Sequence, residues 1–529
     1  MSVTTRRDFL RYVLLASGAT YTMGMEGCRR IAEDATSKAP ASSARTGPIV
    51  DGQRFRLAHR YLRDGGSFPS PSRTERCDVL VVGSGMSGLA AATMVHRQGI
   101  DVRVIESEPR PGGTAVSHQD GAVSIPLGSV YFVDRTPELE ALIDYAGVQP
   151  VECPGDGYVF DGVLYRDLWS DADLGRAIRS DADRDGMRRF RDDLLALGDT
   201  LPSYPLPAVL NDRLRKLDGT SGRDYIRRYQ SPTLDAILDA YSKSSMGAPL
   251  DATNAYCLLN FYSSEFGRSF DLGRYTFPGG TSVLSGGLAR RLPVMTGRLA
   301  VRAGQDGSDA IVDTIDDEGT IIRHRARCVI MAIPKFQVPH LMPDISAERA
   351  AACRALTYAP YATIHIASGM PLVDERIYDT WHFPMAGGYT DVIAPTTVQR
   401  DAGGQHVASL FAPVDIARRS MLQNDEAFVR FAHDSVTAFE ETLSEKQRDS
   451  ITGVYLWRWG HGIVVPTLGS HAGIAQAVSR PDGAIFFANT DNDASPAMEN
   501  AVSQGALAAE AVMRHMARSR NKAATPNVP

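Results

Sequence analysis

The sequence predicts an α/β fold organised around a doubly wound, parallel sheet, on three observations. The first is a glycine-rich turn placed between an apolar run and a helix-like stretch, in "CDVLVVGSGMSGLAAATMVHRQGIDVRVIE". The second is another apolar run, Val102 to Ile105, that ends in the carboxylate of Glu106. The third is bulk: 529 residues, 43% apolar and 22% charged, which is globular composition with room for two or more domains around a large core.

Each piece of the glycine-rich stretch has a physical role. Val79 to Val82 is continuously apolar, as a strand buried on both faces should be. Gly83 makes the tight turn into the helix, Gly85 lets the backbone approach a pyrophosphate, and Gly88 lets the helix pack closely on the sheet. Met86 and Ser87 lie within that glycine-rich turn, at the cofactor side. Leu89 to Arg97 reads as the helix, whose N-terminus presents free N–H groups and a positive dipole end to phosphates. Glu106 stands about 20 residues on, where a carboxylate binds ribose hydroxyls. Together these parts predict a Rossmann-like dinucleotide site.

Other features narrow the function classes. The net charge of -6 gives no electrostatic case for nucleic acid, and the basic run Arg323 to Arg327 reads as a solvated strand face. The six cysteines include no C-x-x-C pair, so zinc ribbons and thioredoxin-like chemistry lack support. "DADRDGMRRFRD" (Asp181 to Asp192) mimics the start of a calcium loop, but its twelfth residue is Asp192 rather than Glu. A helix N-terminus explains it better, and no metal is predicted. There is no G-x-S-x-G and no H-E-x-x-H to suggest a hydrolase.

The N-terminus reads as an address. Thr5 to Leu10, "TRRDFL", followed by a mildly apolar stretch to Met25, resembles a bacterial twin-arginine export signal. That resemblance implies an exported, periplasmic protein, the export machinery as a partner, and a cofactor inserted before export. The stretch is too short and too weak for a stable membrane span. Cys28 follows "MEG", a poor match to a lipoprotein box, so lipid attachment there is not expected. Ala32 to Pro48 has linker composition, and the last dozen residues read as a frayed tail.

After Glu106 comes "SEPRPGGTA", with Arg110, Gly112, Gly113 and Thr114, and then "GAVSIPLGSVYF" with Gly128. These resemble the first fingerprint of the flavin-containing amine oxidase superfamily, which includes amine oxidases, protoporphyrinogen oxidases and carotenoid desaturases. Looser blocks follow in the family's order: "YTFPGGTSVLSGGLARRL", "LAVRA", "CVIMAIP" and "IFFANTDNDASPAMENAVSQGALAAEAV". The resemblance implies FAD, with Val301 offering its backbone to adenine, Asp491 near the ribityl or pyrophosphate, and Met498 at the helix that points at the ring. It also implies an α+β substrate domain, combining an antiparallel sheet with helices, interleaved with the FAD domain. The expected division is 1–31 signal, 32–73 linker and N-terminal extension, and 74–135, 275–334 and 466–516 for the FAD domain. Residues 136–274 form a mainly helical cap, 335–465 the rest of the substrate domain, and 517–529 a tail.

"PELEALIDYAG", "MRRFRDDLLALGDTL" and "SPTLDAILDAYSKSS" carry the i, i+3, i+4 apolar spacing of those cap helices, and "YCLLNFYSSEFGRSF" divides between core and pocket wall. In "YLWRWGHGIVVP", strand alternation puts Tyr455, Trp457, Trp459 and His461 on one face. Trp457 is expected to pack, while Trp459 and His461 are the candidates to face the reacting centre. Two departures stand out. Ala497 occupies a position where many amine oxidases put a cage aromatic. His340 falls where many place a lysine beside the flavin, the only nearby lysine being Lys335. No cysteine follows Cys353, so FAD is expected to be non-covalent. The leading expectation is an exported FAD-dependent oxidoreductase taking a hydride from a C–H bond beside nitrogen in a small-molecule substrate, with an unknown electron acceptor. Dehydrogenation of a carbon skeleton and a non-catalytic flavin-fold binding protein are the alternatives.

Overall fold

The computed structural model describes residues 48–524, apart from 134, 199, 203, 267–272 and 400–401. The twin-arginine stretch, Cys28 and most of the linker therefore lie outside the described residues. No helix among the described residues is long and apolar enough to cross a membrane.

Two large sheets carry the architecture. In the first, the strands run Val294–Met295, Val102–Ile105, Arg73–Val82, Ile321–Met331, Asp309–Ile315 and Leu299–Asp306, with Ile485–Phe487 added beside Ile321–Met331. Pairing is parallel through the centre and antiparallel in the last two strands. The apolar run predicted to be buried on both faces is so buried. Val79 and Val81 pack with the Met86–His96 and Met498–Ala524 helices. Leu80 and Val82 pack on the other face with Val338, Leu341 and Phe487. Each such side chain contributes roughly 1.5–3 kcal/mol through burial. The glycine turn starts the helix at Met86, three residues before the periodic apolar pattern begins. The basic run lies on the Ile321–Met331 strand, where Arg323 pairs with Asp313, Arg325 with Asp309 and Arg327 with Asp78.

The second sheet has the order Ile49–Gly52, Ile451–Val465, Thr357–Ser368, His406–Pro413, Asp391–Ile393, Asp379–Phe383, Asp156–Phe160 and Val163–Tyr165. It is mainly antiparallel, and helices of the 136–274 region pack against it. Three of its strands come from places read differently in the sequence. Ile49–Gly52, in the N-terminal extension, pairs in parallel with Tyr455 to Arg458. Asp156–Phe160 and Val163–Tyr165 lie inside the mainly helical stretch. They form a hairpin whose Asp161-Gly162 turn has positive φ at both residues (49° and 78°), the conformation a two-residue Asp-Gly turn favours.

The expected cap helices form where the sequence supplies their ends. Thr136 caps Pro137–Ala146 and Ser231 caps Pro232–Met246, each with proline in the first turn and a left-handed glycine after the last. Asp181 to Asp192 is the start of the Asp181–Gly198 helix rather than a cation loop. The C-terminal helix runs on to Ala524, past the point where a frayed tail was expected, because "MARSRNKAA" is made largely of good helix formers.

Candidate functional site

A cavity of about 400 Å³ lies between the two sheets and draws walls from both. Its first end is the glycine turn: Gly83, Gly85, Met86 and Ser87 line it. The helix that begins there has no side-chain cap at Gly85, which leaves the first backbone N–H groups to a ligand. A Cβ on Gly88 would stand 2.0 Å from the Gly83 carbonyl oxygen, so that glycine is required by the turn itself. A Cβ on Gly85 meets nothing closer than Gly113 Cα at 3.8 Å, so that glycine keeps cavity space open.

Glu106 closes the same end and is buried. Ser84 donates to its Oε2 from backbone N–H (2.8 Å) and hydroxyl (2.7 Å), while Glu108 N–H donates to Oε1 at 2.9 Å. Glu108 lines the cavity beside it, its carboxyl pushed up to about 7 by burial and by the charge of Glu106. The N-terminal strand reaches this point. Gln53 lines the cavity, and Arg54 N–H donates to Glu108 Oε1 at 3.1 Å. Leu299 and Ala300 complete the wall, and Val301 is buried just behind them.

The middle of the cavity is walled by Gly113, Thr114, Gly128, Ser129, Ile333 and Met498. The segment through Gly128 is held to the second sheet, because Trp459 Nε1 and Thr363 Oγ1 both donate to Leu127 O, at 2.8 and 3.0 Å. Asp491 lies here, buried, accepting from the Tyr358 hydroxyl at 2.6 Å and from Lys335 N–H at 2.8 Å. Burial raises its carboxyl.

The far end mixes aromatic, hydroxyl and carboxylate groups: Tyr131, Ser244, Glu265, Tyr361, Asp391 and Phe411. Behind it sits the fully buried Arg274, whose guanidinium donates to Asp156 (2.6 Å), Glu265 (2.6 Å) and Asp379 (3.2 Å) and lies 4.4 Å from the Tyr131 ring. Asp391 is 2% exposed and forms no ion pair among the described residues; its carboxyl is raised, chiefly by burial.

The remaining expected site residues fall into three groups. Trp459 and His461 both line the cavity, while Trp457 lies outside it under the Arg110 guanidinium, 4.7 Å from its ring centroid. Arg110 and Gly112 therefore stand behind the wall that Gly113 and Thr114 form. His461 stacks on Phe336 at 4.2 Å between centroids and accepts from Arg419 at Nε2. Its ring is thus neutral with the proton on Nδ1, and burial first, then the Arg419 charge, lowers it to about 4. Around it the strand bulges, since Ala359 pairs with Ile463 but Tyr361 with Trp459. His340 does not reach the cavity. It sits on the short Val338–Leu341 helix, which turns Val338 and Leu341 inward and His340 to solvent. Lys335 is fully buried, with no hydrogen-bond partner on Nζ among the described residues, and burial lowers its amine.

Gln53, Tyr131, Tyr204, Tyr361 and Asp391 went unrecognised in the sequence. Asp391 sits in an ordinary short strand and Gln53 in the N-terminal extension, so neither carries a motif. In "YCLLNFYSSEFGRSF", Phe261, Ser264 and Glu265 are wall and Tyr256, Leu258 and Tyr262 are core.

Comparisons with known proteins agree with this geometry. A family model described as flavin containing amine oxidoreductase matches residues 86–513. Tryptophan 2-monooxygenase of Allorhizobium ampelinum is 29% identical over 208 residues, covering 36% of this chain and 27% of that protein. Flavin-containing amine oxidase B of Sus scrofa is 31% identical over 139 residues, covering 21% of this chain and 25% of that one. The chain thus matches about a quarter of the length of these curated relatives. Among solved structures, putrescine oxidase bound to putrescine superposes with TM-score 0.69 at 18% identity, covering 83% of this chain and 100% of that one. Cyclohexylamine oxidase from Brevibacterium oxydans superposes with TM-score 0.67 at 18% identity, covering 83% and 99%. At that identity the likeness is one of fold.

Proposed function

The chain belongs to the family of flavin-containing amine oxidoreductases and is an FAD-dependent oxidoreductase, and from that premise we propose that it oxidises an amine, removing a hydride from the carbon beside nitrogen, after export by the twin-arginine route. The observation that carries the reading is Asp391. A buried carboxylate on the far wall, without an ion pair among the described residues, suits a cationic group and not an apolar carbon skeleton. Putrescine oxidase and cyclohexylamine oxidase, whose structures superpose on this one, are named for amines.

The residues present fit FAD. The uncapped N–H groups at Met86 and Ser87 suit the pyrophosphate, Glu106 the ribose hydroxyls, and the helix N-terminus at Met498 a ring that gains negative charge. Bound there, FAD supplies a hydride acceptor that passes electrons on.

The chain's own residues then do the rest. Asp391 receives the substrate ammonium and takes up its proton, which frees the nitrogen lone pair that hydride loss requires. Trp459 and Tyr361 exclude water. His461, neutral and committed to Arg419, acts as wall and not as base. The test is anaerobic mixing of the flavin-loaded Asp391→Asn variant with an amine that bleaches the wild type. Bleaching slows by about 10²–10⁴-fold, the range of a lost general base, with flavin content unchanged. Bleaching at the wild-type rate would remove Asp391 from this role.

A further inference from the structure

At Pro496-Ala497 the cavity wall offers only a small side chain, yet a ring from another part of the chain stands at the same place. Tyr204 lines the cavity together with Pro496 and Ala497. It belongs to an apolar cluster with Leu206, Leu210, Leu214 and Tyr256, and Ala497 packs against that cluster. Its hydroxyl is 2.8 Å from Ser495 Oγ, two residues before Ala497. Ser495 is itself fixed, because its N–H donates to Thr490 O at 3.2 Å and its carbonyl accepts from Asn500 Nδ2 at 2.7 Å. The ring is therefore held at both ends: the cluster grips its body, and the 490–500 segment grips its tip. A tyrosine locked this way presents a flat apolar face at almost no further entropy cost.

We propose that Tyr204 is a specificity-determining residue, supplying from the cap the aromatic wall that Ala497 leaves out. The cap, and not the segment leading into the C-terminal helix, then sets the width of the cavity there. The substrate class that fits is an amine bearing an apolar ring, with the ring against Tyr204. The choice of an amine rests on the function proposed above; the placement of the wall does not.

The experiment uses flavin-loaded enzyme and two probes, benzylamine and the neutral benzyl alcohol. Binding is read from perturbation of the flavin absorption band, and oxidation from its bleaching. Tyr204→Ala weakens binding of both probes about three- to tenfold, the range of one aromatic contact. Tyr204→Phe stays within about twofold, because the ring remains. Adding Ala497→Tyr to Tyr204→Ala restores binding, since a ring returns to the same wall from the other side, and the two substitutions are strongly non-additive. Wild-type affinity in Tyr204→Ala at full flavin content overturns the proposal, and so does binding of neither probe to the wild type. Binding of both probes without bleaching by benzylamine counts against amine oxidation and leaves Tyr204 in place.

Discussion

Gly85 and Gly88 carry the same letter in the same motif and have opposite reasons for it. Gly88 is fixed by its own turn, with the Gly83 carbonyl 2.0 Å from where a Cβ would lie, whereas Gly85 faces open cavity. Gly88→Ala is therefore expected to lower stability, by about 1–3 kcal/mol for an overpacked site, and to show it in thermal unfolding of the apoprotein. Gly85→Ala is expected to leave that unfolding unchanged and to lose flavin on gel filtration; retained flavin would place the pyrophosphate elsewhere. His461 offers a second test. Its folded value of about 4 lies below the ordinary 6.5, so between those values the unfolded chain binds the extra proton and stability falls as pH falls. His461→Gln removes that term. Between pH 6.5 and 4.5 the variant should gain on the wild type by roughly 1 kcal/mol per pH unit in denaturant titrations. Parallel pH curves would show that the ring is charged or exposed. Glycines and the terminal Glu106 were legible because local backbone geometry demands them. Asp391 and Tyr204 were not, because their roles come from distant segments meeting: a short strand under the cap, and a loop brought against Ala497.

The strand Ile451–Val465 shows how far periodicity reaches at the scale of an element. Alternation was enough to put Trp459 and His461 on the cavity side, but the bulge at Gly460 to Gly462 depends on pairing with Thr357–Ser368, which no local pattern reveals. The Asp161-Gly162 hairpin, by contrast, carried a readable turn signal inside a stretch dominated by helices. The N-terminal strand Ile49–Gly52 had neither signal; its reason for forming is the free edge at Tyr455 to Arg458. It ties the two sheets together, since Gln53 N–H donates to Arg458 O at 3.1 Å and Arg54 N–H to Glu108 at 3.1 Å. A variant lacking residues 1–53 is expected to expose that edge, scatter light on warming, and release flavin faster than the wild type, followed by the rise in free-flavin fluorescence. Unchanged release would make the strand a packing element only.

Across the whole molecule the chain leaves and re-enters the nucleotide-binding sheet, and the cavity exists only where the two sheets meet. The doubly wound unit was legible from one fingerprint, and the order of the later blocks indicated the interleaving. The far end of the cavity, assembled from the 131, 244–265, 361 and 391 regions, was legible only in part, through the aromatic-rich helix. If the N-terminal signal works as its sequence implies, replacing Arg6 and Arg7 by lysine should leave yellow protein in the cytoplasm and none outside it. The most direct measurement is an anaerobic spectrum of the purified, flavin-loaded protein mixed with benzylamine, cyclohexylamine or putrescine. The oxidised flavin band should be lost with at least one of them and recover on adding an electron acceptor. A band that every amine leaves intact, and that an apolar polyene or tetrapyrrole bleaches, would contradict amine oxidation.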